Sequence, residues 1–426
     1  MRVLITTYPE RTHFLLMVPL AWALRTAGHE VRVAVQPKFA DVVTQAGLTA
    51  VPVGGDRDLW QVIGRVRNLP RQDRAFAGNR EPGYPSPYDA FERDPADLTW
   101  EDLRDGYERQ ISGWHKVSNV PMVAGLVDFA RHWRPDLVIW EPTTFAGAVA
   151  ARACGAAHAR LLIGADVYGI AREHFLRLKD GRADPLADWL GSYARKYGFT
   201  PGEDLATGDF TLDVLPPPLR VQARDLTYVP VRYTQYGGPA SVPAWLRTPP
   251  ERPRVALTMG LTITEHDVGY PVDMQGLLDE LADLDIELVA TVPDAEKEKL
   301  ERIPANARLV PYVPLPDLVP TCSAVIHHGG VGTMVTTAQF GVPQLSLPWD
   351  VDQPALSTLL AAAGAGLTMH STTATGPAVR DAVRRLLTEP SFAEGAARLR
   401  AEALSVPAPN QVVPRLEELA ARHGRR

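Results

Sequence analysis

The chain has 426 residues, 45% of them hydrophobic and 22% charged, with a formal net charge of −6 and a pI near 6.0. That is the balance of a globular protein long enough for two domains of about 200 residues, and it offers no basic footprint for nucleic acid or an anionic membrane. Its two cysteines, Cys154 and Cys322, each sit beside apolar residues, which argues against a disulfide framework or a cysteine metal site and for buried, reduced thiols. The first residues lack the long apolar core of a signal peptide, and no apolar run reaches about 18 residues. A cytoplasmic protein with no membrane partner is therefore expected.

Residues 3–6 read as a short buried strand. Residues 13–27 carry Leu15, Leu16, Val18, Leu20, Ala23 and Leu24 at helical spacing and end at Gly28. A strand over 30–35, a helix over 41–46 and a strand over 49–53 follow with short connections. This β-α-β-α-β opening predicts a doubly wound parallel sheet. Residues 54–119 break the rhythm, mixing Pro and Gly with aromatic residues such as Phe76, Tyr84, Tyr88, Trp100 and Trp114. So long an excursion is more than a plain connection. A helix over 123–133, a strand over 137–140, a helix over 145–154 and a strand over 158–163 then resume the sheet. One or two helices follow before Gly198, and Pro- and Gly-rich stretches at 213–218 and 237–250 mark the crossing to a second domain.

Two titratable residues fall at one edge of that first sheet. His13 follows the first strand and Glu141 directly follows the strand ending at Trp140. Open α/β sheets bind ligands beyond the carboxyl ends of their strands, so the two could form a base and its orienting carboxylate. Position alone also allows a structural His13, and a Glu141-Pro142 pair that merely opens the next helix.

The second half repeats the pattern. Strands are expected at 254–259, 287–291, 309–312 and 323–327, with a helix over 277–284. The first strand runs into Gly260-Leu261-Thr262-Ile263-Thr264, whose hydroxyls suit a phosphate. The fourth runs into His327-His328-Gly329-Gly330-Val331-Gly332-Thr333 and a helical segment ending near Phe340. Strand, glycine turn and helix N-terminus place unpaired amides and the positive end of a helix dipole at one point, which is how an anion is held. Adjacent histidines on a strand point to opposite faces, so they do not form a metal pair. A Walker loop would need a Lys before the hydroxyl, and the third glycine of a dinucleotide fingerprint is missing. A short strand within 341–348 leads to Trp349-Asp350-Val351-Asp352-Gln353, where carboxylate and carboxamide could take sugar hydroxyls or an Asp could cap the next helix. Helices over 355–363, 379–387, 392–404 and 412–423 complete the chain.

These motifs together resemble the family 1 glycosyltransferases of actinomycete antibiotic pathways, in particular the group that attaches deoxysugars to macrolides and anthracyclines. The resemblance spans both halves. It rests on His13 with residues 19–24 and 27–31, on Trp133 to Pro142, and on His327 through Gln353. It implies a GT-B fold, two Rossmann-like doubly wound domains facing a cleft. These are an acceptor-binding domain over 1–213, a linker region over 214–250, a nucleotide-sugar domain over 251–405, and a C-terminal helix over 406–426 that returns to the first domain.

The resemblance also implies an inverting, metal-independent transfer from a dTDP-deoxysugar to a hydroxyl of a polyketide aglycone or glycosylated intermediate, without a cofactor. It makes His13 the general base and puts Glu141 where many relatives carry an orienting Asp. It places Thr262, His328, Gly329, Gly330, Gly332 and Thr333 on the donor diphosphate, Tyr312 and Val313 at the nucleobase, and Asp352 and Gln353 on the sugar. A haem-silent P450-like activator would dock near residues 92–100, and a homodimer is compatible with the group. Rival readings are a GT-B epimerase or hydrolase, disfavoured by the aromatic excursion, and a catalytically silent nucleotide-sugar-binding protein, disfavoured by the joint presence of His13, Glu141 and the phosphate motif.

Overall fold

In the computed structural model, which describes residues 1–56, 83–260, 270 and 272–424, the chain divides into two compact units. The first takes Met1–Val214, Val221–Val231 and the C-terminal stretch from Pro407. Its seven parallel strands are β1 Arg2–Thr6, β2 Glu30–Val35, β3 Ala50–Pro52, β4 Leu137–Trp140, β5 Ala157–Leu161, β6 Phe210–Asp213 and β7 Tyr228–Pro230, in the order β3-β2-β1-β4-β5-β6-β7. Every residue of β4 and β5 is buried, as expected of central parallel strands covered by helices on both faces. The C-terminal helix Pro409–His423 lies on the helix Arg11–Thr26 and on β5 within this unit.

The second unit takes Leu215–Arg220 and Arg232–Val406. Its strands are β8 Arg254–Thr258, β9 Glu287–Thr291, β10 Ala307–Val310, β11 Ala324–His327, β12 Gln344–Ser346 and β13 Gly366–Thr368, again all parallel, in the order β10-β9-β8-β11-β12-β13. Val255, Leu257, Leu288, Ile326 and Leu345 form its core with Leu278 and Val383 from the flanking helices. Both units are thus Rossmann-like and doubly wound.

The structure departs from the sequence reading in three places. Residues 100–119 are helical: Trp100–Gln110, one π-helical turn at Ile111–His115, and Lys116–Trp133 run on without a break. Charged and aromatic residues hid an amphipathic helix that buries Leu103, Gly106 and Tyr107 and is capped by the Thr99 side chain, with Glu101 and Asp102 in its first turn. The short outer strands β6, β7 and β13 went unread because three or four residues carry too little periodicity. Cys154 and Cys322 form no disulfide and are only half-buried, and burial still pushes the Cys322 thiol up to about 12.

Each sheet has one point where the strand order reverses, and there the loops after two central strands stand side by side. In the first unit it lies between β1 and β4, where Thr6 is level with Trp140. In the second it lies between β8 and β11, where Thr258 is level with His327. Open α/β sheets hold their ligands in such crevices.

Candidate active site

At the switch point of the first unit, His13 occupies the third position of the Arg11–Thr26 helix. That helix starts at Glu10, whose carboxylate accepts from the Thr12 backbone at 3.4 Å and from its hydroxyl at 2.9 Å. The imidazole keeps about a fifth of its side chain exposed, and its Nδ1 stands 3.5 Å from Oε1 of the fully buried Glu141. Tyr8 meets the imidazole edge-on, centroids 5.3 Å apart, and Trp114 of the π-helical turn meets Tyr8 in the same way at 6.1 Å. Burial raises the Tyr8 hydroxyl well above its ordinary pKa, so it stays neutral.

Glu141 is held from below. Its Oε2 accepts from the Thr143 amide at 3.0 Å, the Thr143 hydroxyl at 2.7 Å and the Thr144 hydroxyl at 2.8 Å. The turn closes with the Thr144 amide donating to the Glu141 carbonyl at 2.8 Å. Asn119 fastens the turn to the long helix, donating to the carbonyls of His115 and Thr143 and accepting from the Ala146 amide, each at 2.8 Å. The hydroxyls directly after Glu141-Pro142 were the signal in the sequence for this network. Asn119, 22 residues earlier, gave none.

The second switch point is built mostly of backbone. His327 is buried, its Nδ1 accepts from the Gly329 amide at 2.9 Å, and its Nε2 faces the Gln344 carboxamide oxygen at 2.8 Å. Those partners assign the proton to Nε2, and burial lowers the pKa to about 3. His327 therefore braces the turn. His328 lies between two glycines: a Cβ on Gly260 or Gly330 would come within 2.5 Å or 2.3 Å of its ring. Burial lowers its pKa to about 4, so at neutral pH it is an uncharged imidazole.

Gly329 has φ +86°, and a Cβ there would press on Ser357, Gln353 and Ser346 at 3.0–3.1 Å. Gly330 then starts the helix Val331–Phe340 with no side-chain cap, which leaves first-turn amides of Val331, Gly332 and Thr333 for an anion. Thr333 is buried in that turn.

The remaining predicted residues are placed as follows. Asp352 stands at the N-cap position of the helix Gln353–Ala362, but its side chain makes no cap. The Gln353 carboxamide, buried beside Gly329, accepts from the Trp349 amide at 3.2 Å. Tyr312 and Val313 follow β10 at the sheet edge, three strands from β11. Val313 is buried, while Tyr312 is 41% exposed with its hydroxyl 3.4 Å from the Gly237 carbonyl. Thr262 lies outside the described residues.

Among the described residues one trio, His158, Asp204 and Asp209, brings ligand-type atoms within 4.8 Å of one another. It sits at the opposite, amino end of β5. There His158 Nε2 is paired with Asp204 at 3.1 Å and Nδ1 accepts from the Trp140 indole at 3.2 Å, so both ring nitrogens already serve the protein. No helix among the described residues is long and apolar enough to cross a membrane.

Known proteins match this chain over nearly its whole length. The family model described as erythromycin biosynthesis protein CIII-like, N-terminal domain, matches residues 22–260, and the corresponding C-terminal domain model matches residues 275–419. The 10-deoxymethynolide desosaminyltransferase of Streptomyces venezuelae is 46% identical over all of this chain and 98% of its own length. The TDP-daunosamine transferase DnrS of Streptomyces peucetius is 43% identical over 99% of this chain and 98% of its own. Among solved structures, the glycosyltransferase VinC in complex with dTDP superimposes with a TM-score of 0.87 at 38% identity, covering 99% of this chain and all of that one.

Proposed function

This chain belongs to the erythromycin biosynthesis protein CIII-like family of GT-B glycosyltransferases, and from that premise we propose that it transfers a deoxysugar from a dTDP-sugar to a hydroxyl of a polyketide-type aglycone, with inversion and with His13 as general base. The observation that carries the reading is the approach of Glu141 Oε1 to His13 Nδ1, 3.5 Å, at the switch point of the first sheet. Catalytic hydrogen bonds are often this long before substrate binds. With Nδ1–H turned to the carboxylate, Nε2 keeps its lone pair. It takes the acceptor's hydroxyl proton as that oxygen bonds to the anomeric carbon. The bond from that carbon to the donor phosphate breaks, and dTDP leaves with the electron pair.

Charge that gathers on the departing diphosphate is met by preorganised dipoles. The amides at Gly330, Gly332 and Thr333, the Thr333 hydroxyl, the neutral His328 ring and Thr262 take that part, with Gly329 shaping the turn that presents them to the diphosphate. Asp352 and Gln353 bind the sugar, and Tyr312 and Val313 bound the base. These residues supply the charge stabilisation, so no metal is invoked. The domain scheme of acceptor unit, linker, donor unit and returning C-terminal helix belongs to the same reading.

The names of the relatives suggest the probes. Purified protein is given dTDP-desosamine with 10-deoxymethynolide and dTDP-daunosamine with an anthracyclinone, and the products are read by mass spectrometry. A glycosylated acceptor whose anomeric configuration is opposite to the donor's supports the proposal. Retained configuration overturns inversion, and donor consumed to free sugar or epimer without acceptor product overturns transfer. A P450-like activator belongs to the proposal too: exposed Glu92, Asp94 and Asp97 lie on a segment tied down by the Arg93–Asp102 ion pair and by Arg177 to the Pro95 carbonyl at 3.1 Å. Full turnover by the chain alone would remove the activator. Sedimentation of the same sample tests a homodimer.

A further inference from the structure

We infer that Thr143 and Thr144 are positioning residues: together they occupy one oxygen of the Glu141 carboxylate and so present the other, in a single orientation, to His13 Nδ1. This rests on the reading of His13 and Glu141 as base and orienting carboxylate. A Glu has one more rotatable bond than an Asp, so unless its carboxylate is fixed, the oxygen facing the imidazole is not defined. Here it is fixed three times over on the same side, by the Thr143 amide, the Thr143 hydroxyl and the Thr144 hydroxyl, all on Oε2 at 2.7–3.0 Å. Oε1 is buried and makes no hydrogen bond; the nitrogen facing it is His13 Nδ1 at 3.5 Å.

The direction of the Thr144 bond is set independently. Its oxygen accepts from the Tyr8 amide at 3.1 Å, so the hydroxyl proton is directed to Glu141. Tyr8 in turn packs edge-on against the His13 ring. A chain of contacts therefore runs from Tyr8, on the loop that leads into the helix of His13, through Thr144, to the carboxylate that faces His13. All three supporting residues are buried, Thr143 at 3%, Thr144 at 1% and Glu141 at 0% exposure, so water does not substitute for a lost hydroxyl without entering the core. Thr143 is itself fixed by Asn119, whose carboxamide N–H donates to the Thr143 carbonyl at 2.8 Å.

The test reads the imidazole directly. In protein labelled with 15N-histidine, the His13 signals, assigned by their loss in His13→Gln, should show the Nδ1–H tautomer. In Thr143→Val/Thr144→Val they should move toward the Nε2–H form, while Thr143→Ser/Thr144→Ser should restore the original signals. Unchanged tautomer in the valine pair overturns the inference, whatever the enzyme's substrates prove to be. Turnover of the dTDP-desosamine and 10-deoxymethynolide pair supplies the second arm. The valine pair should lose about tenfold in kcat, a part of the ~10²–10⁴ that a general base contributes, with dTDP affinity retained. Added to Glu141→Ala, the same substitutions should cost nothing more, because residues that act through one group are not additive. A further tenfold loss in that background would make the threonines independent of Glu141. If His13→Gln turns over like the wild type, the base assignment falls, and the tautomer arm still decides the threonines.

Discussion

The two switch points of this molecule solve their chemical tasks in different materials. In the second unit the working surface is main chain: a glycine turn, an uncapped helix start, and a histidine lying between Gly260 and Gly330. In the first unit it is side chain, an imidazole and a buried carboxylate steadied by two hydroxyls. A diphosphate carries its charge into the site and needs only fixed dipoles aimed at it. Proton abstraction needs a group that changes its protonation state during the reaction, which backbone does not supply. On the proposed reading the diphosphate cradle therefore centres on seven consecutive residues, while the base and its carboxylate have to be assembled from distant ones.

Removing the proposed base should break this comparison most severely. His13→Ala is expected to lower turnover by about 10²–10⁴-fold while dTDP affinity, measured by calorimetry, stays near that of the wild type; equal turnover would take His13 out of the mechanism. The backbone site is attacked differently. Gly330→Ala has no helical penalty at φ −63°, but its Cβ would stand 2.3 Å from His328 Nε2. Overpacking of that kind costs about 1–3 kcal/mol, roughly five- to hundredfold in dTDP affinity, and unchanged binding would show that His328 is free to move aside.

The histidines also make a prediction for stability. Burial holds His115 and His327 at about 3 and His328 at about 4, below the ordinary value near 6.5. As pH falls through about 6.5 the unfolded chain takes up these protons first, so the contribution of the neutral rings is complete above that pH and is lost toward the folded values. The loss approaches about 1.4 kcal/mol per pH unit for each ring. Urea midpoints should decline from pH 7 to pH 5, less steeply in His115→Gln, and a flat wild-type profile would contradict the assignment. Tyr312→Ala should have the smallest effect. If the half-exposed ring borders the base, dTDP binding weakens by about 0.5–1.5 kcal/mol, and an unchanged affinity would remove Tyr312 from the donor site.

Much of this could be read in the chain. Residues 327–333 are legible as a strand, a glycine turn and a helix start, the arrangement proposed to hold phosphate, because its requirements are local: a strand, glycines where Cβ has no room, and a helix start. The division of labour between the two histidines also follows from a local rule, since neighbours on a strand face opposite ways. By contrast, residues 100–119 were read as irregular because their apolar stripe is narrow and interrupted by charges, and the π-helical turn at Ile111–His115 leaves no compositional trace. The alternative that Asp350 or Asp352 caps the next helix is a local inference too, and the Asp352 side chain makes no cap.

By itself, then, the sequence determined two doubly wound sheets, the glycine turn that opens the helix after His328, and the candidacy of His13 and Glu141, because hydrophobic periodicity, glycine placement and position after a strand are short-range properties. Only the tertiary structure decided that β1 and β4 are neighbours, that Glu141 Oε1 reaches within 3.5 Å of His13 Nδ1, and that Thr143, Thr144, Tyr8 and Asn119 hold the pair. Those contacts join residues as much as 136 positions apart. No local pattern encodes them; strand order, set by the packing of whole helices and sheets, brings them together.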